Sequence, residues 1–300
     1  MTAAAAAAGA GPTGDGARID ADGARVDADP ARVDADDAIF TLHRGSTPLL
    51  VSMPHVGTRI PPELHAHLAP RALDVEDTDW HLEPLYAFAR ELGAGVIVPQ
   101  HSRYVIDLNR PPEDAPMYPG VNNTELCPTR FFTGDALYRE SKAPDAHEIE
   151  RRRERYWRPY HRALEAELAR LQSLHGHAVL FDAHSIKSEL PWLFEGRLAD
   201  LNLGTANGAS CDPTLRAALA RVLEAQSAFS VAIDGRFKGG HITRFHGRPA
   251  AGRHAVQLEM AWRCYMAEQA PYALDPARVA VLEPTLHALV QTMIAWRPHA

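Results

Sequence analysis

The segment Ala178-Val179-Leu180-Phe181-Asp182-Ala183-His184-Ser185 indicates both the kind of fold and the place of its chemistry. Its first four residues form a short apolar run, which is typical of a strand buried on both faces, and a polar cluster follows immediately. Similar apolar runs recur along the chain. The strands predicted in this way are residues 49–53, 95–99, 104–108, 178–182 and 254–259.

Helical patterns lie between these runs, with apolar residues at three- and four-residue steps. The predicted helices are residues 79–92, 146–174, 212–226 and 276–296. Strands that alternate with helices predict an α/β fold, with a mostly parallel or mixed sheet and helices on both of its faces. Ligands bind beyond the carboxyl ends of the strands in such sheets, so polar residues at those ends are the candidates for function.

The composition restricts the class of protein. A formal net charge of −7 argues against a general nucleic-acid partner and against an anionic membrane surface, but not against a small anionic substrate. Three widely spaced cysteines, with no CxxC pair, predict neither a disulfide framework nor a thiolate zinc site, and they favour the cytoplasm. No apolar stretch of about 18 residues is present, so no membrane span is expected, and the N-terminus does not resemble a secretory signal. The oligomeric state cannot be read from the sequence.

Residues 1–37 differ from the rest of the chain. They are rich in Ala, Gly and Asp, and a seven-residue unit repeats around Ile19, Val26 and Val33. One bulky apolar position in each unit is too few for a coiled coil, so we expect a disordered low-complexity tail. Residues 38–300 are expected to form a single α/β domain.

Two histidines follow predicted strands, and together they suggest a metal site. His55 follows the strand 49–53 and His184 follows the strand 178–182. A carboxylate from Asp77 or Asp79 would complete a set of two histidines and one acid, the kind of site in which zinc is catalytic. The same donors also suit iron, cobalt or manganese. One of the two aspartates could instead be a helix N-cap, and Asp77 is slightly preferred over Asp79 as the ligand.

Three further segments carry candidate residues, each with a structural alternative. Arg103, Asn109 and Arg110 flank the predicted strand 104–108 and can form an anion pocket, although the arginines can equally pair with structural acids. Glu259 ends an apolar strand, where an acid is costly to bury unless it is used or paired; it would be a general base, or else a helix-start carboxylate. Gly239-Gly240 permits close backbone approach to a ligand, or a simple turn.

The motifs, taken together and in this order, resemble the N-formylglutamate amidohydrolase family. The resemblance extends from about Ile39 to the C-terminus and omits the tail. It rests on the segments PHVGTRIP (54–61), DTDWHLEPLY (77–86), SRYVIDLNRP (102–111), FDAHSIKSELPWLFEG (181–196), FKGGHITRFHG (237–247) and HAVQLEMAWRCYM (254–266).

The resemblance implies a fold similar to zinc carboxypeptidases and a metal-dependent hydrolysis of N-formyl-L-glutamate to formate and L-glutamate, as in histidine degradation. His55 and His184 would be metal ligands. Thr58 occupies the place of an acidic ligand in the related peptidases, which is why Asp77 or Asp79 is required. The remaining roles that it implies are the base at Glu259, carbonyl polarisation by Arg103, and carboxylate binding by Asn109 and Arg110, with Lys238, Gly239, Gly240 and Arg244 of the glycine loop.

Other classes of function stay open at this level. A metal-free hydrolase would use Ser185 or Cys211 as its nucleophile, but no GxSxG elbow surrounds Ser185, and neighbouring residues of a strand point to opposite faces. A non-catalytic protein that binds acidic ligands would need the arginines alone. A deacylase of another N-acyl acidic amino acid would need the same residues as the favoured reaction.

Overall fold

A mixed β-sheet forms the centre of the molecule in the computed structural model, which describes residues 24–26, 38–117 and 122–298. The described strands lie side by side in the order β1-β2-β4-β3-β5-β8-β6-β7. They are β1 (Ala24–Val26), β2 (Phe40–His43), β3 (Leu49–Ser52), β4 (Gly95–Pro99), β5 (Ala178–Ile186), β6 (Leu201–Gly204), β7 (Val231–Ile233) and β8 (Arg253–Ala261). The four central strands β4, β3, β5 and β8 are parallel, whereas β2 and β6 pair antiparallel to β4 and β8.

Eight α-helices connect and cover these strands in the described part of the chain. They are α1 (Pro62–His65), α2 (Leu82–Leu85), α3 (Ala87–Glu91), α4 (Ala146–Arg152), α5 (Arg158–His175), α6 (Pro213–Ala225), α7 (His241–His246) and α8 (Pro276–Ala295). A π-helical turn, Arg153–Trp157, joins α4 to α5.

The helices α6 and α8 begin in the same way. An aspartate precedes each helix and a proline takes its first position, where the missing N–H costs nothing. Asp212 accepts a hydrogen bond from the backbone of Thr214 at 2.7 Å, and Asp275 caps the first turn of α8. Side-chain capping of this kind satisfies backbone donors that have no partner within the helix.

The alternation of side chains along β5 divides the core into two layers. Val179 and Phe181 face one layer, which contains the apolar faces of α6 and α8. Ala178 and Leu180 face the other layer, which contains the apolar face of α5. Helices therefore cover both faces of a mixed sheet, which confirms the predicted α/β class and leaves the carboxyl ends of the central strands open to the site.

Four of the predicted strands are confirmed, and β4 has the predicted bounds. The prediction of a strand at residues 104–108 is wrong, because this buried segment is a turn-containing loop. Its backbone bonds to a loop and to a helix side chain: Asp107 N donates to Leu126 O at 2.7 Å, and Arg152 Nη1 of α4 donates to Val105 O at 3.1 Å. An apolar run of this length does not distinguish a buried strand from a buried loop.

The predicted helix 79–92 is present only as the two short helices α2 and α3. His81 has a left-handed backbone, with φ of 63°, so the helical segment begins after it. Pro84 in α2 has no N–H to donate. Asp77 and Asp79 therefore lie in the loop that precedes α2, and neither caps a helix.

Three residues of the predicted tail form β1, which pairs with β2 in parallel. The remainder of residues 1–37 lies outside the described residues, so disorder of the tail stays a prediction. The three cysteines are free and buried. Among the described residues, no helix combines the length and the apolar character that crossing a membrane requires.

Candidate active site

His184 and Glu259 are direct cross-strand partners at the carboxyl ends of β5 and β8. Both side chains are buried, with 2% and 6% of their surface exposed. Asp182 and Gln257 are the preceding cross-strand partners on the same face, because side chains two residues apart share a face of a strand. Two parallel strands thus deliver four polar side chains to one place.

A possible metal-binding group consists of His55, Asp79 and His184. One ligand atom from each of these buried residues lies within 4.8 Å of the others. Asp79 Oδ2 is 3.7 Å from Nδ1 of His55 and 3.1 Å from Nδ1 of His184. The same nitrogen of both imidazoles therefore faces the same carboxylate oxygen.

The opposite nitrogens of the two imidazoles meet carboxylates. Nε2 of His55 lies 2.7 Å from Asp107 Oδ1, and Nε2 of His184 lies 3.0 Å from Asp182 Oδ2. A histidine that ligates a metal usually donates its other N–H to an acceptor such as a carboxylate, which fixes the ring and its tautomer. The donor set and its supporting carboxylates fit a divalent cation, although two imidazoles and a carboxylate suit zinc, iron, cobalt or manganese alike.

Hydrogen bonds and charge interactions within and around this group change the pKa values of Asp79 and His184. Burial by itself raises the pKa of Asp79, but hydrogen bonds and charge interactions with His184 and His55 outweigh it, so this pKa is lowered. Burial by itself lowers the pKa of His184, and the carboxylates of Asp182 and Asp79 reverse this effect and raise it well above its usual range. The site therefore holds a deprotonated carboxylate in contact with two imidazoles.

Asp77, which was slightly preferred over Asp79 from the sequence, does not join this group. Its Oδ2 accepts hydrogen bonds from the Tyr104 hydroxyl at 2.8 Å and from the backbone of Phe132 at 2.9 Å. Burial raises its pKa. The structure therefore gives Asp77 a place in loop packing and leaves Asp79 as the carboxylate that faces both histidines.

Glu259 lines the same pocket as the two histidines. Burial raises its pKa to about 8; His184 and Arg103 oppose this shift, and the charges of Asp79 and Asp182 add to it. A buried carboxyl group with a pKa near neutrality can both accept and return a proton, as a general base requires.

Arg103 lies beside the possible metal-binding group. Its Nη2 donates to Asp107 Oδ2 at 2.6 Å, and its Nη1 is 3.3 Å from Nδ1 of His55. The Phe132 ring covers the guanidinium, with its centroid 4.4 Å from the central carbon. Asp107 thus connects Arg103 to His55. Pairing of Arg103 with an acid was the alternative to a role in anion binding, and this ion pair is present within the site itself.

Asn109 and Gly240 join the glycine loop to β5. The Asn109 amide nitrogen lies 3.2 Å from Asp182 Oδ2 and 2.9 Å from His184 Nε2, and its Oδ1 accepts from Ile242 N at 2.8 Å. A Cβ at Gly240 would lie 2.4 Å from this amide, so only glycine fits there. Asn109 thus connects these elements. It also lines the pocket, so its role at a substrate carboxylate stays a prediction.

Lys238 and Arg244, for which carboxylate binding was predicted, do not line this pocket. Arg244 is exposed on α7, and its Nε donates to the carbonyl of Gly239 at 2.8 Å. Gly239 has a left-handed backbone, with φ of 105°, and is likewise outside the pocket lining. Of the four residues predicted to bind a carboxylate in this loop, Gly240 is the one that lines the pocket.

The pocket has an empty volume of about 640 Å³, part of which is open to solvent. Arg110 lines it, and its Nη2 donates to Thr124 at 2.7 Å. Arg236 and Gln257 also line it and were missed in the sequence. Gln257 could have been predicted from the sequence, because it lies two residues before Glu259 and side chains at that spacing share one face of a strand. No pattern in the sequence distinguished Arg236 from the other arginines.

The metal-free alternatives receive no support from this geometry. Ser185 Oγ lies 2.7 Å from the Tyr265 hydroxyl, and Ser185 follows His184 directly in β5, so their side chains point to opposite faces. Cys211 is buried, and burial raises its pKa to about 12, which disfavours the nucleophilic thiolate.

Known proteins are similar to this chain in sequence and in structure. Two curated relatives are named N-formylglutamate deformylase. The relative from Pseudomonas aeruginosa is 49% identical over 260 residues, which cover 87% of this chain and 97% of that relative. The relative from Pseudomonas putida is 47% identical over 260 residues, again covering 87% of this chain and 97% of that relative.

Among solved structures, the crystal structure of N-formylglutamate amidohydrolase from Ralstonia eutropha JMP134 has a TM-score of 0.71 and 27% identity, covering 85% of this chain and 97% of that chain. A family model described as N-formylglutamate amidohydrolase matches residues 47–266, a range that contains His55, Asp79, His184 and Glu259. The resemblance seen in the sequence is thereby confirmed, and this chain belongs to the N-formylglutamate amidohydrolase family of hydrolases.

Proposed function

We propose that this protein hydrolyses N-formyl-L-glutamate to formate and L-glutamate with the help of a divalent metal ion. The convergence of His55, Asp79 and His184 beside Glu259 in one pocket is the observation that carries the proposal. The name of the two curated relatives, N-formylglutamate deformylase, supports the choice of substrate.

His55, Asp79 and His184 would hold the metal ion, zinc being the first candidate and cobalt, iron or manganese the alternatives. When bound, the cation lowers the pKa of water and polarises a carbonyl group. Asp107 and Asp182 keep both imidazoles oriented for this task through their Nε2 atoms.

Glu259 moves the proton in this scheme. It takes a proton from the attacking water as the new C–O bond forms at the formyl carbon. It then delivers that proton to the leaving nitrogen as the C–N bond breaks, so that formate and glutamate are released. A raised pKa, caused mainly by burial, suits a group that must both accept and donate.

Two arginines balance the negative charges of the reaction. Arg103, fixed by Asp107 and covered by Phe132, is placed to stabilise the developing oxyanion beside the two histidines. Arg110 lines the pocket and offers a planar guanidinium to a substrate carboxylate. A small anionic substrate therefore meets positive side chains inside a protein whose net charge is negative.

The experiment is a formate-release assay on N-formyl-L-glutamate, coupled to metal analysis of the purified protein. We expect formate release that stops on chelation and returns when a divalent metal is added. Glu259→Gln should lose turnover while keeping its metal content. Turnover that resists chelation, or full activity of Glu259→Gln, would contradict the proposed roles of the metal and the base.

Four expectations from the sequence belong to the same proposal. They are a place in histidine degradation, a cytoplasmic location, a fold likeness to zinc carboxypeptidases, and a single catalytic domain over residues 38–300 preceded by a low-complexity tail.

A further inference from the structure

The pocket has two chemically different regions. The inner region contains the possible metal-binding group and Glu259. The outer region has an apolar wall formed by Ile186, Leu193 and Phe237, which pack with the buried side chains of Phe132, Leu190, Phe194 and Leu198. Arg110 and Arg236 also line the pocket, and their contacts show to which region each belongs.

Arg110 belongs to the inner region. Its Nε lies 3.7 Å from Asp107 Oδ2, and the other oxygen of Asp107 lies 2.7 Å from Nε2 of His55. One carboxylate therefore separates the Arg110 guanidinium from a histidine of the possible metal-binding group.

Arg236 belongs to the outer region. Its Nη2 donates to the carbonyl of Leu193 at 2.8 Å, and its central carbon lies 5.3 Å from the centroid of the Phe237 ring. Both contacts are with residues of the apolar wall, so the guanidinium is held beside that wall. A guanidinium fixed in this way binds a carboxylate with little further loss of side-chain freedom.

The substrate carries its charges in the same order. In N-formylglutamate, the carbon that bears the formylated nitrogen also bears the first carboxylate, which therefore lies close to the reacting bond. The second carboxylate lies beyond two methylene groups. A substrate with its formyl group at Glu259 consequently places the first carboxylate in the inner region and extends its methylenes and second carboxylate along the outer region.

We infer that Arg236 binds the side-chain carboxylate of the substrate and sets the preference for an N-formyl diacid, while Arg110 binds the α-carboxylate. The inference rests on the proposed function. The apolar wall contacts the methylenes, and the guanidinium of Arg236 recognises the charge at their end.

The test compares N-formyl-L-glutamate with N-formyl-L-glutamine, which has nearly the same shape but a neutral side chain. Arg236→Met should raise KM for N-formylglutamate roughly 10- to 100-fold, as expected for the loss of hydrogen bonds to a charged group, with kcat within about threefold. Its kinetics with N-formylglutamine should match those of the wild-type protein. Arg110→Met should impair both substrates to a similar degree.

Arg221→Met is the matched control, because it makes the same substitution at an exposed arginine of α6 that does not line the pocket. It should leave both substrates unaffected. Arg236→Lys keeps the charge without the planar donor pair and should retain part of the preference; it decides the same comparison if Arg236→Met does not fold. If Arg236→Met keeps the full wild-type preference for N-formylglutamate over N-formylglutamine, the inference is overturned but the proposed function is not. Absence of formate release by the wild-type protein from N-formylglutamate would instead overturn the proposed function.

Discussion

Gln257 and Glu259 project from the same face of β8, and Nε2 of Gln257 donates to Oε2 of Glu259 at 3.3 Å. Oε1 of Gln257 accepts a hydrogen bond from the backbone of Gly240 at 2.8 Å. A single buried side chain therefore joins the proposed general base to the glycine loop. The arrangement restricts the Glu259 carboxylate and fixes the position of the loop relative to it.

Gln257→Leu should reduce kcat roughly 10- to 100-fold, because Glu259 loses the hydrogen bond that holds its carboxyl group, and a shift of about 1 Å in a catalytic group can cost about 100-fold in rate. Metal content should not change, since Gln257 does not contact the possible ligands. Gln172→Leu is the matched control, because Gln172 bonds to Arg253 outside the pocket. An unaltered kcat in Gln257→Leu would contradict the positioning role.

Asp79→Asn and Asp77→Asn should separate a metal ligand from a structural carboxylate. Changing a residue that only orients a metal ligand lowers metal affinity roughly 10- to 100-fold. Asp79→Asn should lower it further, because this substitution alters the carboxylate that faces both histidines. Asp77→Asn should retain the metal but lower the free energy of unfolding by about 1–3 kcal/mol, through its bonds to Tyr104 and Phe132. Metal titration and thermal unfolding of both variants check this, and the reverse pattern would assign the ligand to Asp77.

Asp182→Asn should weaken metal binding roughly 10- to 100-fold while the protein stays folded. The carboxylate lies 3.0 Å from Nε2 of His184 and favours the ring orientation that turns Nδ1 towards Asp79. Competition with a chromogenic chelator measures the affinity. Asp200→Asn, which alters an aspartate paired with Arg263 away from the pocket, should bind metal like the wild-type protein. Equal affinity of all three proteins would rule out the supporting role of Asp182.

Gly240→Ala should reduce kcat/KM about 100-fold, the scale of loss expected when catalytic groups shift by about an ångström. The added Cβ would lie 2.4 Å from the Asn109 amide, which must move away from Asp182 and His184. Gly235→Ala provides the control, because a Cβ there meets a single methyl carbon at 3.2 Å. Steady-state kinetics of both variants test this, and similar values for the two would argue against the steric role of Gly240.

Much of the fold could be predicted because it depends on local patterns. The apolar runs of β3, β4, β5 and β8 and the amphipathic faces of the longer helices are properties of consecutive residues, so they are visible in the sequence. His55, His184 and Glu259 were found for the same reason: each lies at or just beyond the carboxyl end of such a run, where parallel α/β sheets form their sites. The run at residues 104–108 was misjudged because its apolar pattern shows burial and not conformation.

The sequence by itself determined the class of fold, the family, and the two histidines and glutamate at the strand ends, since hydrophobic periodicity and ordered motifs are written along the chain. Only the tertiary structure decided that Asp79 and not Asp77 faces the histidines, that Asn109 connects elements, and that Arg236 and not Lys238 or Arg244 reaches the pocket. These outcomes depend on strand register and on the paths of loops between distant segments. No local pattern contains that information, because neighbouring residues of a loop can point in opposite directions.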